Sequence, residues 1–118
     1  MTPADAKALD KLFQKRLIAR NPRSILLGDT EVIHHFKHKG GSPLSLRWYV
    51  PNGIPLTNEQ HNLIHGAKGN EMMSQIYRIK GTIWRQSLIS QAKRSCKMHE
   101  LDFETVKAHI EGHRDNYL

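Results

Sequence analysis

Four histidines and an asparagine stand at spacings that metal and acid-base chemistry can use. His34 and His35 are adjacent, Asn52 follows seventeen residues after the second of them, and His61 and His65 lie four apart. An imidazole nitrogen is a good ligand for zinc, nickel, cobalt or manganese, and three imidazoles leave positions on one ion open for water or a phosphate oxygen. On a helix, residues i and i+4 are neighbours with roughly 5–6 Å between their β-carbons, so His61 and His65 can grip one ion together. On a strand, adjacent side chains point to opposite faces, so His34 and His35 divide their work. His34 joins the ligand set, and His35, with an ordinary pKa of about 6.5, serves as a base. Hydrolysis of a phosphodiester needs a deprotonated water, a neutralised phosphate and a stabilised leaving oxygen. One divalent ion (magnesium, manganese, nickel or zinc) meets the last two needs. The expected site therefore has His35 and Asn52 as its catalytic pair and His34, His61 and His65 as its metal ligands. Asn52 is expected to bridge the intervening loop by side-chain hydrogen bonds and hold the base's strand in place.

Taken singly, each of these histidines reads as an ordinary surface residue; the joint order and spacing carries the weight. His38, His99, His109 and His113 do not join the pattern. His109 and His113 are also four apart, which shows how cheap an isolated pair is, and both are expected on the surface.

The elements that must position these residues are legible in outline. Thr57-Asn58-Glu59-Gln60 is a capping box, the strongest helix start in the chain, with Leu63 and Ile64 as the packed side and Gly66 as the stop. Ser24–Leu27 is a short apolar run ended by Gly28-Asp29, and Glu31–Phe36 is rich in strand-favouring residues. Lys37 to Ser45 reads as a loop with turn signals at Gly40-Gly41 and Ser42-Pro43. Arg47–Val50 reads as the second strand of a hairpin, closed by Pro51-Asn52-Gly53, so that Asn52 sits in the turn joining strand to helix. An amphipathic helix runs from a Thr2-Pro3-Asp5 start through Leu9, Leu12, Phe13 and Leu17 to Asn21-Pro22. Beyond Gly69 three helical stretches are expected. They span Asn70–Ile79 with Met72, Met73 and Ile76, Thr82 to about Lys97 with Trp84, Leu88 and Ile89, and Asp102–Glu111 stopped by Gly112. Their apolar stripes, Ile79 and Ile89 included, are core by default.

At 118 residues the chain is expected to be a single domain, 1–118, with a strand-strand-helix core over about 24–69 between helical segments at 3–20 and 70–112. Cys96 is the only cysteine, which excludes an internal disulfide and a cysteine-built zinc site. No apolar stretch approaches the roughly 18 residues of a membrane span, and the start of the chain is acidic where a signal peptide is basic. The expected place is therefore the cytoplasm, with no membrane partner. Lys and Arg number 18 against 11 Asp and Glu, a formal charge of +7 that favours a polyanionic partner.

The pattern of His34-His35, Asn52, His61 and His65 resembles the HNH (His-Asn-His, ββα-metal) endonucleases. The doubled histidine and the final HxxxH look most like the DNase colicins, whereas HHF, LRW, PNGIPLT and HNLIHG look like phage HNH proteins. The resemblance covers about 45 residues, from roughly Ser24 to Gly69. It implies an α+β fold with a ββα-metal (His-Me finger) centre embedded among helices and a mostly helical C-terminal half. The activity implied is metal-dependent hydrolysis of double-stranded DNA in a bacterial or phage-infected cell; the alternative is a non-catalytic DNA-binding or inhibitor module on the same scaffold. Many phage relatives also carry two CxxC pairs that clamp a structural zinc. The matching positions here are Ser24 and Leu27, then Thr57 and Gln60, so that zinc cannot form, and packing and the Thr57-Gln60 capping box must support the site instead.

With basic residues spread over the flanking helices and no base-reading motif, DNA affinity is expected to come mainly from phosphate contacts. For a His35→Ala protein titrated with two unrelated duplexes, each phosphate neutralised should add about 0.9 to the slope of log affinity against log salt. A flat salt response, or a preference for one duplex above about 1000-fold, would refute this.

Overall fold

The computed structural model describes residues 1–37 and 43–118. Among them are six α-helices and one two-stranded antiparallel sheet: α1 (Pro3–Arg20), β1 (Val32–His35), α2 (Leu44–Arg47), β2 (Gly53–Leu56), α3 (Asn58–Ile64), α4 (Gly69–Lys80), α5 (Thr82–Ala92) and α6 (Phe103–Ile110). The fold is a mixed α+β arrangement, predominantly helical after the sheet. No described helix is long and apolar enough to cross a membrane.

Helix α1 begins as its sequence signals: the Thr2 hydroxyl accepts from the Asp5 amide, the Asp5 carboxylate accepts from the Thr2 amide, and Pro3 opens the first turn. Its buried stripe is Ala6, Leu9, Phe13 and Leu17. This stripe packs on the face of β1 that carries Ile33, in a core shared with Trp48, Val106, Ile110 and Tyr117. The other face of the sheet, with Ile54 and Leu56, packs on Leu46, Ile64, Ile76 and Leu88 in a second core. One short sheet thus separates two apolar clusters, and its two faces answer to different helices.

The second strand is Gly53–Leu56, not Arg47–Val50. Pro43 leads into the single helical turn α2, and Pro51 opens a 3₁₀ turn over Val50–Asn52. Leu46 and Trp48 are both fully buried, which imitates the two-residue period of a strand, but the helical turn sends them into different cores. Asn52 therefore precedes β2 instead of following a strand. Pro55 is tolerated in β2 because its partner Ile33 belongs to a pair whose backbone groups point outward. The Ile33 N–H and C=O go to the Gln14 side chain (2.9 and 2.8 Å), and the Pro55 carbonyl accepts from the Ile25 amide at 3.0 Å.

Helix α3 opens with the expected capping box, Gln60 N–H to the Thr57 hydroxyl and Thr57 N–H to Gln60 Oε1. Ile64 is buried, but Leu63 is 45% exposed and does not belong to the packed side. Helix α5 ends at Ala92, short of Lys97, and the Lys97 amide, bonded to the Glu100 carboxylate, starts a separate 3₁₀ turn. Ile79 and Ile89 lie outside the core, at 57% and 42% exposed. Gly112, at φ +87, closes α6 as expected, with the His113 amide reaching back to the Ala108 carbonyl. His38 and the glycine pair after it lie outside the described residues.

At Gly53 the side chains of α1 leave no room on the sheet: a β-carbon there would meet Leu17 at 2.5 Å and Ile33 at 2.8 Å. Gly53→Ala should destabilise the protein by about 1–3 kcal/mol through overpacking, read as a lower urea midpoint at unchanged slope. An unchanged midpoint would show that α1 can retreat without cost.

Candidate metal centre

Three of the four singled-out histidines come together. His34 projects from the face of β1 that is turned toward α3, while His61 and His65 come from α3 and its C-cap. Their candidate ligand atoms all lie within 4.8 Å of one another. The two Nε2 atoms of His61 and His65 are 3.1 Å apart. Metal–imidazole bonds are about 2.1 Å long, so two nitrogens at this separation suit one small cation. The His34 ring stands 5.3 Å from each of the other two, tilted to both. His34 is buried, His61 half-buried and His65 exposed, so the set opens outward on one side.

His35 lies on the opposite face of β1, as the alternation of a strand requires. Its ring stacks on Phe13 at 5.1 Å and 15°, and its Nε2 meets the Arg47 carbonyl at 2.9 Å. A carbonyl only accepts, so Nε2 is the donor in this bond, and in the neutral ring the acceptor nitrogen is then Nδ1. Both faces of β1 contribute to one cleft of about 240 Å³, lined by His34, His35, His61, His65 and Gln14 among others.

The Arg47 carbonyl is itself held. The Arg47 guanidinium forms two bonds with the Asp10 carboxylate (3.1 and 2.7 Å), which also accepts from the Trp48 indole at 3.0 Å. A forked pair of this kind fixes direction as well as distance. Asn52 has no exposed surface. Its side-chain oxygen accepts from the Lys37 amide (2.9 Å), and its amide nitrogen donates to the Lys37 and Leu46 carbonyls (3.2 and 3.3 Å). Asn52 is thus a positioning residue that closes the excursion between the strands.

His109, expected on the surface, is buried. Its Nδ1 meets the Arg114 carbonyl at 2.9 Å, its Nε2 accepts from the Val50 amide at 3.0 Å, and its ring stacks on Tyr49. The bond to Val50 steadies the 3₁₀ turn that carries Asn52. His99 and His113 are exposed, as expected. Sequence reasoning passed over Asp10, Gln14 and the Arg47 carbonyl. The signal available was two polar residues four apart, Asp10 and Gln14, alongside the buried stripe of an otherwise basic helix.

Comparison with models of protein families, with curated proteins and with solved structures finds no match to this chain.

Burial, above all, holds the His109 pKa below the ordinary 6.5; Arg20 and Arg114 push the same way, while the Arg114 carbonyl and Asp115 oppose. A depressed folded pKa means that the neutral ring contributes stability above the unfolded value, and that this is lost as pH falls below it. The unfolding temperature of the native protein should therefore drop more between pH 7.5 and about 5 than that of a His109→Gln variant, which keeps an acceptor for Val50 but does not titrate. Parallel curves would show that His109 does not contribute.

Proposed function

We propose that this chain is a metal-dependent DNA endonuclease with a ββα-metal centre of the HNH type. The observation that carries the reading is the convergence of His34, from β1, with His61, from α3, and His65, from its C-cap, on a spacing that one divalent ion fits. His35 stands on the other face of the same strand, oriented by the Arg47 carbonyl. A divalent ion bound there supplies charge neutralisation for a phosphate and for the leaving oxygen. The remaining work belongs to the chain. His35 takes a proton from water at Nδ1; the Arg47 carbonyl and the stack on Phe13 fix its tautomer and ring plane. Asn52 ties Lys37 to Leu46 through its side-chain amide. The charge of +7 draws in the phosphate backbone, double-stranded DNA being the substrate read from the resemblance.

A second observation supports the same reading. The four positions at which phage-type relatives carry CxxC pairs meet in one hydrogen-bonded clamp. Gln60 Oε1 accepts from the Ser24 hydroxyl and the Thr57 amide, and Gln60 Nε2 donates to the Leu26 and Leu27 carbonyls. The backbone turns sharply there, with Leu27 at φ +85 and Gly28 at φ +92. A side-chain amide thus joins the turn at Ser24–Leu27 to the start of α3 where the resemblance would put a zinc.

Supercoiled plasmid incubated with magnesium, manganese, nickel or zinc should be nicked or linearised, and EDTA should stop the reaction. His35→Ala should lower the cleavage rate by about 100-fold or more while still binding nickel. His61→Ala should weaken nickel affinity in calorimetry by on the order of 10-fold or more. Cleavage that survives EDTA, or nickel binding indifferent to His61, would overturn the proposal.

A further inference from the structure

The histidine cleft does not end at the histidines. A second depression shares His34, His35 and His65 with it and extends to Asn70 and Met73. A third shares Phe36, Asn70 and Met73 with the second and runs on to Ser74, Tyr77, Lys37 and Arg85, and a fourth continues from Ser74 and Tyr77 past Arg78 to Gly81. Asn70, Ser74, Tyr77 and Gly81 succeed one another at intervals of four, three and four, so a single face of α4 forms the floor. Eleven residues at 1.5 Å rise make a trough about 16 Å long, leading away from the candidate ion site.

Its lining has a consistent chemistry. Lys37, Arg78 and Arg85 supply positive charge, and no Asp or Glu is among the described residues that line these depressions. The Arg85 guanidinium lies 4.5 Å from the centre of the Tyr77 ring, so a planar cation and an aromatic ring form one stacking platform. Asn70 and Ser74 are exposed hydrogen-bonding groups on the floor before it. Phosphates alone would call only for the cations. An aromatic-guanidinium platform in a basic trough suits nucleobases whose faces are open, which in a duplex they are not.

We propose that the trough along α4 binds an unpaired DNA strand, with a base stacked at Tyr77 and Arg85 and the backbone attracted by Lys37 and Arg78. On this assignment, which rests on the nuclease reading for its biological use, the duplex substrate carries an unpaired segment beside the bond that is cut. Binding itself needs no ion, so it is measured separately from cleavage.

The test is fluorescence anisotropy with the full-length His35→Ala protein in EDTA. The probes are a labelled 12-nucleotide oligothymidine, an abasic strand of the same length and a blunt duplex. Oligothymidine should bind on the order of 10-fold more tightly than the abasic strand, since only the former has a base to stack on the platform. Tyr77→Ala should remove most of that difference and Tyr77→Phe should keep it. Arg85→Ala should reduce it as well, which serves if Tyr77→Ala fails to fold. Equal binding of the thymidine and abasic strands would overturn the proposal. So would a folded Tyr77→Ala protein that still discriminates, or a preference for the blunt duplex over the single strand. A protein that discriminates in this way but never cuts plasmid keeps the trough and loses the nuclease reading; one that cuts without discriminating does the reverse.

Discussion

Asn52 is a fully buried amide whose oxygen and nitrogen are both committed to backbone groups on either side of the Lys37–Leu46 excursion. Its own carbonyl also accepts from the Phe36 amide at 2.9 Å, at the end of the strand pairing. A buried amide left without partners would cost several times what its bonds contribute net, so no nearby alternative register is tolerated. The register of β1 against β2 decides which histidine faces α3 and which faces α1, because a slip by one residue exchanges the two faces. The facing of His34 and His35 toward different helices thus depends on the backbone bonds of an amide that lies beyond the end of the strand carrying them.

Helix α1 is the second support, and it acts through polar residues at the margin of its apolar stripe. Phe13 gives His35 a flat surface, and Asp10 holds Arg47, whose carbonyl orients the His35 ring. The chain after β2 completes the frame: His109 holds the Val50 amide, and the Tyr117 hydroxyl donates to the Ser45 carbonyl at 2.6 Å. Residues widely separated in the sequence therefore converge on the segment from Leu44 to Asn52, which has little regular structure of its own.

The helix starts were legible because caps are local: Thr2 with Asp5 and Thr57 with Gln60 need only three residues of context. The histidine set was legible because i, i+4 spacing and strand alternation fix directions before any tertiary contact is known. The strand at Arg47–Val50 was misplaced because alternate burial of Leu46 and Trp48 has two causes, a strand or a bend between two cores, and the sequence does not separate them. His109 was misread for the opposite reason. A histidine with two backbone partners resembles any helical surface histidine until the chain folds Val50 and Arg114 around it. Asp10 and Gln14 were passed over because a polar residue beside an apolar stripe is ordinary on a helix.

The pairing of Gln14 with Ile33 has a consequence for the protein's behaviour in concentrated solution. A two-stranded sheet ordinarily presents two unpaired backbone edges, and each can template a strand from another molecule. On the outer edge of β1 the Gln14 amide occupies both backbone groups of Ile33, donor to acceptor and acceptor to donor, as an added strand would. Along the opposite edge the Ile25 amide occupies the Pro55 carbonyl, and Pro55 has no N–H to offer. Ile33 and Pro55 are thereby closed to edge-to-edge pairing with another molecule, and the strand bearing the two histidines is blunted at one point along its outer edge.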